Sequence, residues 1–341
     1  MSKKPLTLKT DRLDQASWHE ALASFDDANI WQSWAYGAAR WDADGIEHAR
    51  LYEGDTLRAA VQLAIPKVPI LGRPVAYARW GPLWRRADAP PDIAICQHFL
   101  QQLREHYAVQ RKIVLWVRPR SADDEKLAAA FQAAGFVKEK GQLDLGTFLL
   151  DLAPDLDELR AGMRKSWRRN LKRAEAQPFT FEKLDGLGGF DVFFALYDEM
   201  ASRKGLPLDD ELARFRDIQK DLPDAARFEI WVCRLDGKPL AALAVSALGD
   251  TAVGLFSVTS TEGRDARASY ALDWHCIRHY KDRGFRWYDI EGDEASAVND
   301  YKAGLVGEGG HVKFVGAFMS RERPALRALL SLAKRAKEKS G

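Results

Sequence analysis

The chain has 341 residues, too many for one ordinary hydrophobic core, so one or two domains of about 100–200 residues each are expected. Its 51 Lys and Arg against 49 Asp and Glu leave a net charge of only +2, which excludes a global field drawing the whole molecule onto nucleic acid or membrane. Any polyanionic partner must therefore be read by a local patch.

Cys96, Cys233 and Cys276 lie far apart without metal-type spacing, which argues against a disulfide framework and for a reducing compartment. The opening MSKKPLTLKTDRLDQ has lysines but no apolar segment behind them, so no signal peptide is expected. No apolar run approaches the ~20 residues that span a bilayer. The expected location is cytoplasmic, with peripheral contact at the inner face of the membrane left open.

In chain order, WHEALASF and WQSWAYGAARW carry apolar residues at helical spacing. ARLYEGDTLRAAVQLAIPK reads as two strands about a tight turn at Glu53-Gly54-Asp55-Thr56. DIAICQHFLQQLREHY is an amphipathic helix, KIVLWVRP a buried strand ended by Pro119, and DEKLAAAFQAAGF a helix capped by Gly135. GTFLLDL is a strand. A basic helix then leads into FTFEKL, and FDVFFALYDEMASRKG and DELARFRDIQKDL are helices. FEIWVCRLDGKPLAALAVSAL is again two strands about a turn, VGLFSVTS a strand, SYALDWHCIRHYKDRG a helix closed by Gly284, and RWYDI a strand.

Two pieces look like copies. LYEGDTLRAA and CRLDGKPLAA share an acid and glycine at the turn, a Leu three residues after the Gly, and an Ala two further on. Each hairpin is later followed by a long helix and a short Trp-containing strand. The expected fold is a duplicated α+β unit, each copy a mixed sheet flanked by helices. The boundary is expected near 150–156, where Pro154 breaks the run, giving domains 1–152 and 153–317. The segment 318–341, with Leu326, Leu329, Leu330, Leu332 and Ala333 on one face and a basic face opposite, is expected to dock on the first domain, contact with anionic lipid being the alternative.

The stretch GMRKSWRRNLKRAEA places Met163, Trp167, Leu171 and Ala174 on one stripe of a helix. Arg164, Lys165, Arg168, Arg169, Lys172 and Arg173 fill the opposite arc. Like charges four apart repel by a few tenths of a kcal/mol per pair, and nothing local offsets them, so the helix is either a plain solvated face or the seat of an anionic partner: tRNA phosphates, a nucleotide diphosphate or an anionic lipid surface.

Several segments together resemble the FemABX peptidyltransferases of the GNAT acyltransferase superfamily. WQSWAYGAARW is similar to their aromatic-Gln-x-x-x-Trp/Tyr-Gly helix, and ARWGPLW to their strand ending in Gly-Pro. RKSWRRNLKRAEA looks like their basic helix, and GFRWYDIEGD followed by DYKAGL like their Tyr-Asp-x-x-Gly and Tyr-Lys stretch. The order matches from about 30 to 318. The resemblance implies two GNAT-like domains in tandem and transfer of an amino acid from aminoacyl-tRNA to an amine of a peptidoglycan or other cell-envelope precursor, without a tightly bound cofactor. The precursor can be lipid-linked; DNA is not an expected partner. The long coiled-coil arm of the larger members is missing.

By the same resemblance Lys302 is the cationic donor to the oxyanion, with Tyr301 beside it. Asp289 ends a predicted strand before Gly292, where it either takes a proton from the attacking amine, orients Lys302 or merely orders its own turn. Arg79 and Trp80 form a strand end with Gly81-Pro82, and Arg79 is placed to hold a phosphate or carboxylate. Gln32 and Trp34 are assigned to the same substrate cleft, Trp34 with core packing as its rival role. TEGRDARASYALDW departs from the glycine-rich pattern of acyl-CoA-dependent members: Arg264 and Arg267 stand there, with Ser269 as the expected N-cap. That favours aminoacyl-tRNA over acyl-CoA as donor. An acyl-CoA-dependent N-acyltransferase and a non-catalytic RNA- or polyanion-binding protein remain the alternatives. His275 and His279 have metal-ligand spacing but are assigned to a wet helix face, and no metal is expected.

Overall fold

The structure is a computed structural model that describes residues 4–41, 43–68, 71–139, 146–184, 186–205, 210–292 and 298–331. In chain order the strands are β1 (Leu6–Asp11), β2 (Ile46–Glu53), β3 (Thr56–Ala64), β4 (Val75–Arg79), β5 (Val114–Arg118), β6 (Phe136–Lys138) and β7 (Gly146–Asp151). They continue with β8 (Thr180–Leu184), β9 (Glu229–Leu235), β10 (Lys238–Leu248), β11 (Thr251–Thr259), β12 (Trp287–Asp289), β13 (His311–Lys313) and β14 (Phe318–Ser320).

Two seven-stranded mixed sheets result, ordered β1-β2-β3-β4-β5-β14-β6 and β13-β7-β12-β11-β10-β9-β8. Among the described residues one pair in each sheet is parallel, β4 with β5 and β11 with β12. The two pairs sit at equivalent places, and the other neighbours are antiparallel. The duplication read from the two hairpins therefore extends through both sheets. In the second hairpin Asp236 and Gly237 take φ of 50° and 79°. Two consecutive left-handed residues make the turn whose twist matches antiparallel strands, and glycine adopts the second without a Cβ clash.

The chain divides into two compact units, Met1–Asp144 with Phe314–Gly341, and Leu145–Lys313. The boundary differs from the expected one. GTFLLDL belongs to the second sheet, because β7 pairs with β12 from Trp287↔Asp151 to Asp289↔Leu149. Its Phe148 and Leu150 join the second core beside Trp167 and Tyr288. The stretch DLAPDLDEL is not a linker: Asp155 and Glu158 form a capping box that starts the helix Leu156–Gly162. Reciprocally, β14 completes the first sheet, and Leu326 and Leu330 of the helix at 324–331 pack on its Val75, Val114 and Met319. Leu332 and Ala333 lie outside the described residues.

The basic helix begins later than its sequence suggests, at Lys165, and runs to Ala174. Met163 and Arg164 precede it in extended conformation. The apolar stripe is as expected: Met163, Trp167, Leu171 and Ala174 are all buried. The ion pair Arg160–Glu175 ties the two successive helices together at 2.5 Å. Among the described residues no helix is long and apolar enough to cross a membrane.

Candidate functional site

The second unit holds a pocket of about 640 Å³. Its walls come from β10 (Ala241–Leu243), β11 (Ser257–Thr259), the turn after β11, and the first two turns of the helix Ala268–Asp282. The sequence makes the first wall apolar: β10 is buried over seven consecutive residues, as a central strand covered on both faces must be. The turn is held tightly against it. A Cβ on Gly263 would stand 2.3 Å from the Leu240 carbonyl oxygen, so only glycine permits this approach. Ser260 fixes the same turn by accepting from Gly263 N at 3.0 Å.

Arg264 and Arg267 both line the pocket, as does Arg203 from the helix Gly186–Lys204. Arg267, not Ser269, occupies the N-cap position, at φ 66° and ψ 30°, and no side chain caps that helix end. Ser269 instead shares a hydrogen bond with Thr259. A non-glycine residue held left-handed stores about 1–2 kcal/mol, and such strain gathers at functional loops. The Arg267 Nη1 donates to the Arg264 carbonyl at 2.6 Å, which braces the turn.

Deeper in, the carboxylate of Asp273 is buried, 9% exposed. Tyr301 Oη donates to its Oδ2 at 2.6 Å and Tyr288 Oη to its Oδ1 at 3.2 Å. Burial pushes the Asp273 pKa up to about 6, against the two phenols and the Lys302 charge, which hold it down. The same burial and the neighbouring carboxylate drive the Tyr301 and Tyr288 phenols well above their usual range, so both remain donors. Tyr270 stands edge-on to Tyr301 with ring centroids 4.9 Å apart, and Trp167 packs on both at 5.0 and 5.9 Å. Asn170 Nδ2 donates to Tyr270 Oη at 3.1 Å. The apolar face of the basic helix thus carries Trp167, which backs the aromatic wall.

Lys302 lies on the helix Val298–Val306. The helix forms because Tyr301 and Leu305 share one face on the core, and Gly304 lets it close on Trp167, whose Cδ1 would be 3.1 Å from an added Cβ. Lys302 is half-buried and acts on Asp273 through space. Asp289 is buried away from the pocket lining, accepting from the Thr147 hydroxyl and from Glu291 N at 2.7 Å. It orders its own turn, where Glu291 has φ 53°, and braces β7.

The remaining residues assigned to substrate belong to the first unit. Gln32 Oε1 accepts from Gln62 N at 2.8 Å, and its Nε2 donates to the carbonyls of Gln62 and Arg79 at 3.2 and 2.7 Å. Its amide is a brace between β3 and β4. The Arg79 guanidinium lies 5.4 Å from the Tyr36 ring, and Trp34 is half-buried at the start of the helix Trp34–Trp41. Trp80, at φ 56°, packs edge-on to Trp31 at 6.2 Å and tilted against Phe314 at 5.0 Å, with Arg118 and Arg120 over its ring.

On the basic helix Arg164, Lys165, Arg169, Lys172 and Arg173 are exposed. Arg168 differs: its Nη1 donates to the Ala161 carbonyl at 2.7 Å and to that of Met163, closing the end of the preceding helix. Arg164 reaches Asp300 at 3.9 Å. His275 and His279 do not lie on a wet face. Both pack edge-on to Trp231, at 5.0 and 4.6 Å, and His275 stacks on Phe181 at 4.3 Å.

Asp273, Tyr270 and Arg203 are absent from the sequence-based assignments. A signal exists for the first: Asp273 interrupts the run Ala271, Leu272, Trp274, Cys276, Ile277 on a buried helix, where an acid needs partners.

The fold and pocket can be set beside known proteins. Residues 161–303 match the family described as an acetyltransferase (GNAT) domain. That match lies within the second unit, and the same arrangement of strands recurs in the first. The fold of the whole chain is the fold of FemX: its crystal structure superposes with a TM-score of 0.77 at 15% identity, covering 95% of this chain and all of that one. L-PGS from Bacillus licheniformis gives a TM-score of 0.57 at 13% identity, over 96% of this chain and 97% of its own. The C-terminal domain of a candidate lysylphosphatidylglycerol synthetase from Agrobacterium fabrum gives 0.57 at 14%, over 94% and 97%. No curated protein sequence matches the chain.

Proposed function

We propose that the protein is an aminoacyltransferase of FemABX type, which moves an amino acid from aminoacyl-tRNA to an amine of a peptidoglycan or other cell-envelope precursor at the cytoplasmic face of the membrane. The observation that carries this reading is the polarity of the second-unit pocket. Arginines 203, 264 and 267 line it, and a buried carboxylate with Lys302 nearby lies further in. Cationic side chains suit a phosphodiester chain, and the strained Arg267 occupies the turn where acyl-CoA enzymes present backbone N–H groups.

In this reaction the neutral acceptor amine attacks the ester carbonyl. The C–N bond forms, the C–O bond to the ribose breaks, and the amine proton ends on the leaving 3′-hydroxyl. The ester is already activated, so positioning and oxyanion stabilisation provide most of the acceleration. Lys302 supplies the positive charge to the oxyanion. Asp289 acts through the turn it orders. The exposed cations of the basic helix hold phosphates of the tRNA or of a lipid-linked acceptor.

The test is transfer of radiolabelled amino acid from charged tRNA to envelope precursors. Lys302→Ala is expected to abolish transfer while leaving the circular dichroism spectrum and Tm unchanged. Full activity in that variant would overturn the role of Lys302. A second reading is acyl-CoA-dependent N-acylation, favoured by the acetyltransferase match over residues 161–303. Tight acetyl-CoA binding in calorimetry, with no transfer from any charged tRNA, would select it.

A further inference from the structure

We infer that Asp273 is the recognition group for the donor's α-ammonium, so that the pocket selects an amino acid ester over an acyl group lacking an amine. The inference rests on the aminoacyl-transfer reading above and adds to it what the donor's acyl end must carry.

Asp273 has an incomplete set of partners. An ionised carboxylate has about four acceptor sites. Asp273 uses two, for the phenols of Tyr301 and Tyr288, and among the described residues no Lys, Arg or His nitrogen forms an ion pair with it. A buried carboxylate in this condition is expensive, which is why its pKa stands near 6. A cation arriving in the pocket would complete the set. The walls beside it suit a cation too. Tyr270 and Tyr301 both line the pocket, with interplanar angle 71°, and an ammonium is drawn to aromatic faces. Trp167 and Asn170 fix these rings from behind, so the recess exists before any ligand binds.

The distribution of charge narrows the ligand class. The Arg264 side chain is 62% exposed whereas Asp273 is buried, so the pocket is cationic outside and anionic within. A ligand that fits both ends has a phosphate-bearing handle and a cationic acyl terminus. An aminoacylated nucleotide has both. An acetyl thioester of CoA has the handle, but its methyl group would bury Asp273 without a partner.

The experiment uses the full chain and hydrolysis-stable probes, 3′-aminoacylamino-3′-deoxyadenosines carrying each of the twenty amino acids. For the tightest binder, a deamino counterpart replaces the α-ammonium with hydrogen. Calorimetry on the wild type is expected to give at least about thirtyfold weaker binding for the deamino probe. Asp273→Asn should lose that factor for the ammonium probe and change the deamino probe less than about twofold. Should the variant not fold, the carboxyl 13C resonance of wild-type Asp273 reads the same contact, with its pKa falling on binding the ammonium probe and not the deamino one. Equal wild-type affinity for the two probes, or an Asp273 resonance indifferent to both, overturns the inference and leaves the transferase reading standing. Binding of acetyl-CoA with no aminoacyl probe bound overturns both.

Discussion

Tyr301 and Asp273 sit 28 residues apart in the chain, yet the phenol of one donates to the carboxylate of the other at 2.6 Å. The acid comes from the helix that follows β11 and the phenol from the helix that carries Lys302. Removing the hydroxyl in Tyr301→Phe takes away a charge-assisted hydrogen bond, worth about 1.5–3 kcal/mol to the ionised form. The Asp273 pKa should then rise above its value near 6. Tyr288, Cys276 and Lys302 are the other titratable groups acting there, and of these the Tyr288 hydrogen bond and the Lys302 charge favour the ionised form. Since an ionised Asp273 is what pairs with an ammonium, kcat/KM for the donor should rise with pH through about 6 in the wild type. In Tyr301→Phe the rise should move to higher pH, with KM raised more than kcat is lowered. Superimposable pH profiles would refute this coupling.

The same ionisation has the opposite sign for stability. The folded pKa of Asp273 lies above its ordinary 3.8, so the unfolded chain releases the proton first. The contribution is fully present below about 4 and is lost as pH rises through about 6. Asp273→Asn should flatten that part of the stability curve in urea titrations between about pH 4 and pH 7, while the wild type weakens over the same window.

His48 gives a second pH dependence, in the first unit and of the reverse direction. Its ring is 1% exposed, with Nδ1 accepting from Leu13 N at 3.1 Å and Nε2 at 3.1 Å from Gln62 Oε1. The neutral tautomer with the proton on Nε2 satisfies both contacts, and a second proton would face the Leu13 N–H. Burial lowers the pKa to about 4, against the Gln62 bond that favours the charged form. A depressed histidine gives stability that is complete above about 6.5 and lost as pH falls through about 4. The loss amounts to about 3 kcal/mol. Acid titration of unfolding should show it, and His48→Gln should remove most of the slope.

These sites differ in how far the sequence discloses them. Hydrophobic period and glycine turns place the long strands and helices, because each carries enough residues to express a pattern. β6, β13 and β14 have three residues each and no period to detect. The expected domain boundary fails because β7 finds its partner at Trp287–Asp289, far along the chain, and no local feature of GTFLLDL encodes that choice. Lys302 is reached through family resemblance and Asp273 is not, since its meaning depends on Tyr288 and Tyr301 converging from other elements.

The basic helix separates charge that binds from charge that builds. Arg168 satisfies the carbonyls of Ala161 and Met163, whereas Lys165, Arg169, Lys172 and Arg173 are exposed to solvent. Arg168→Ala should therefore destabilise the protein by about 1–2 kcal/mol. Replacing Lys165, Arg169, Lys172 and Arg173 together by Ala should leave Tm unchanged or slightly higher, because mutual repulsion is relieved. In filter binding to tRNA the quadruple variant should lower the slope of log K against log salt by about 0.7–0.9 for each phosphate contact removed. An unchanged slope would take this helix out of the tRNA site.

Arg267 combines both roles in one residue, and two substitutions divide them. Its guanidinium lines the pocket, while its backbone sits at φ 66°. Arg267→Ala and Arg267→Gly both remove the charge and the bond to the Arg264 carbonyl, so both should weaken donor binding to the same extent. They differ in the backbone: alanine keeps the left-handed penalty without an arginine's compensating hydrogen bond, and glycine escapes it. The glycine variant should therefore be more stable than the alanine variant by about 1 kcal/mol. Denaturant melts measure the second quantity and donor KM the first. Equal stability of the two variants would mean that the turn relaxes out of the left-handed region once arginine is gone, and an unchanged KM would mean that the guanidinium serves the turn alone.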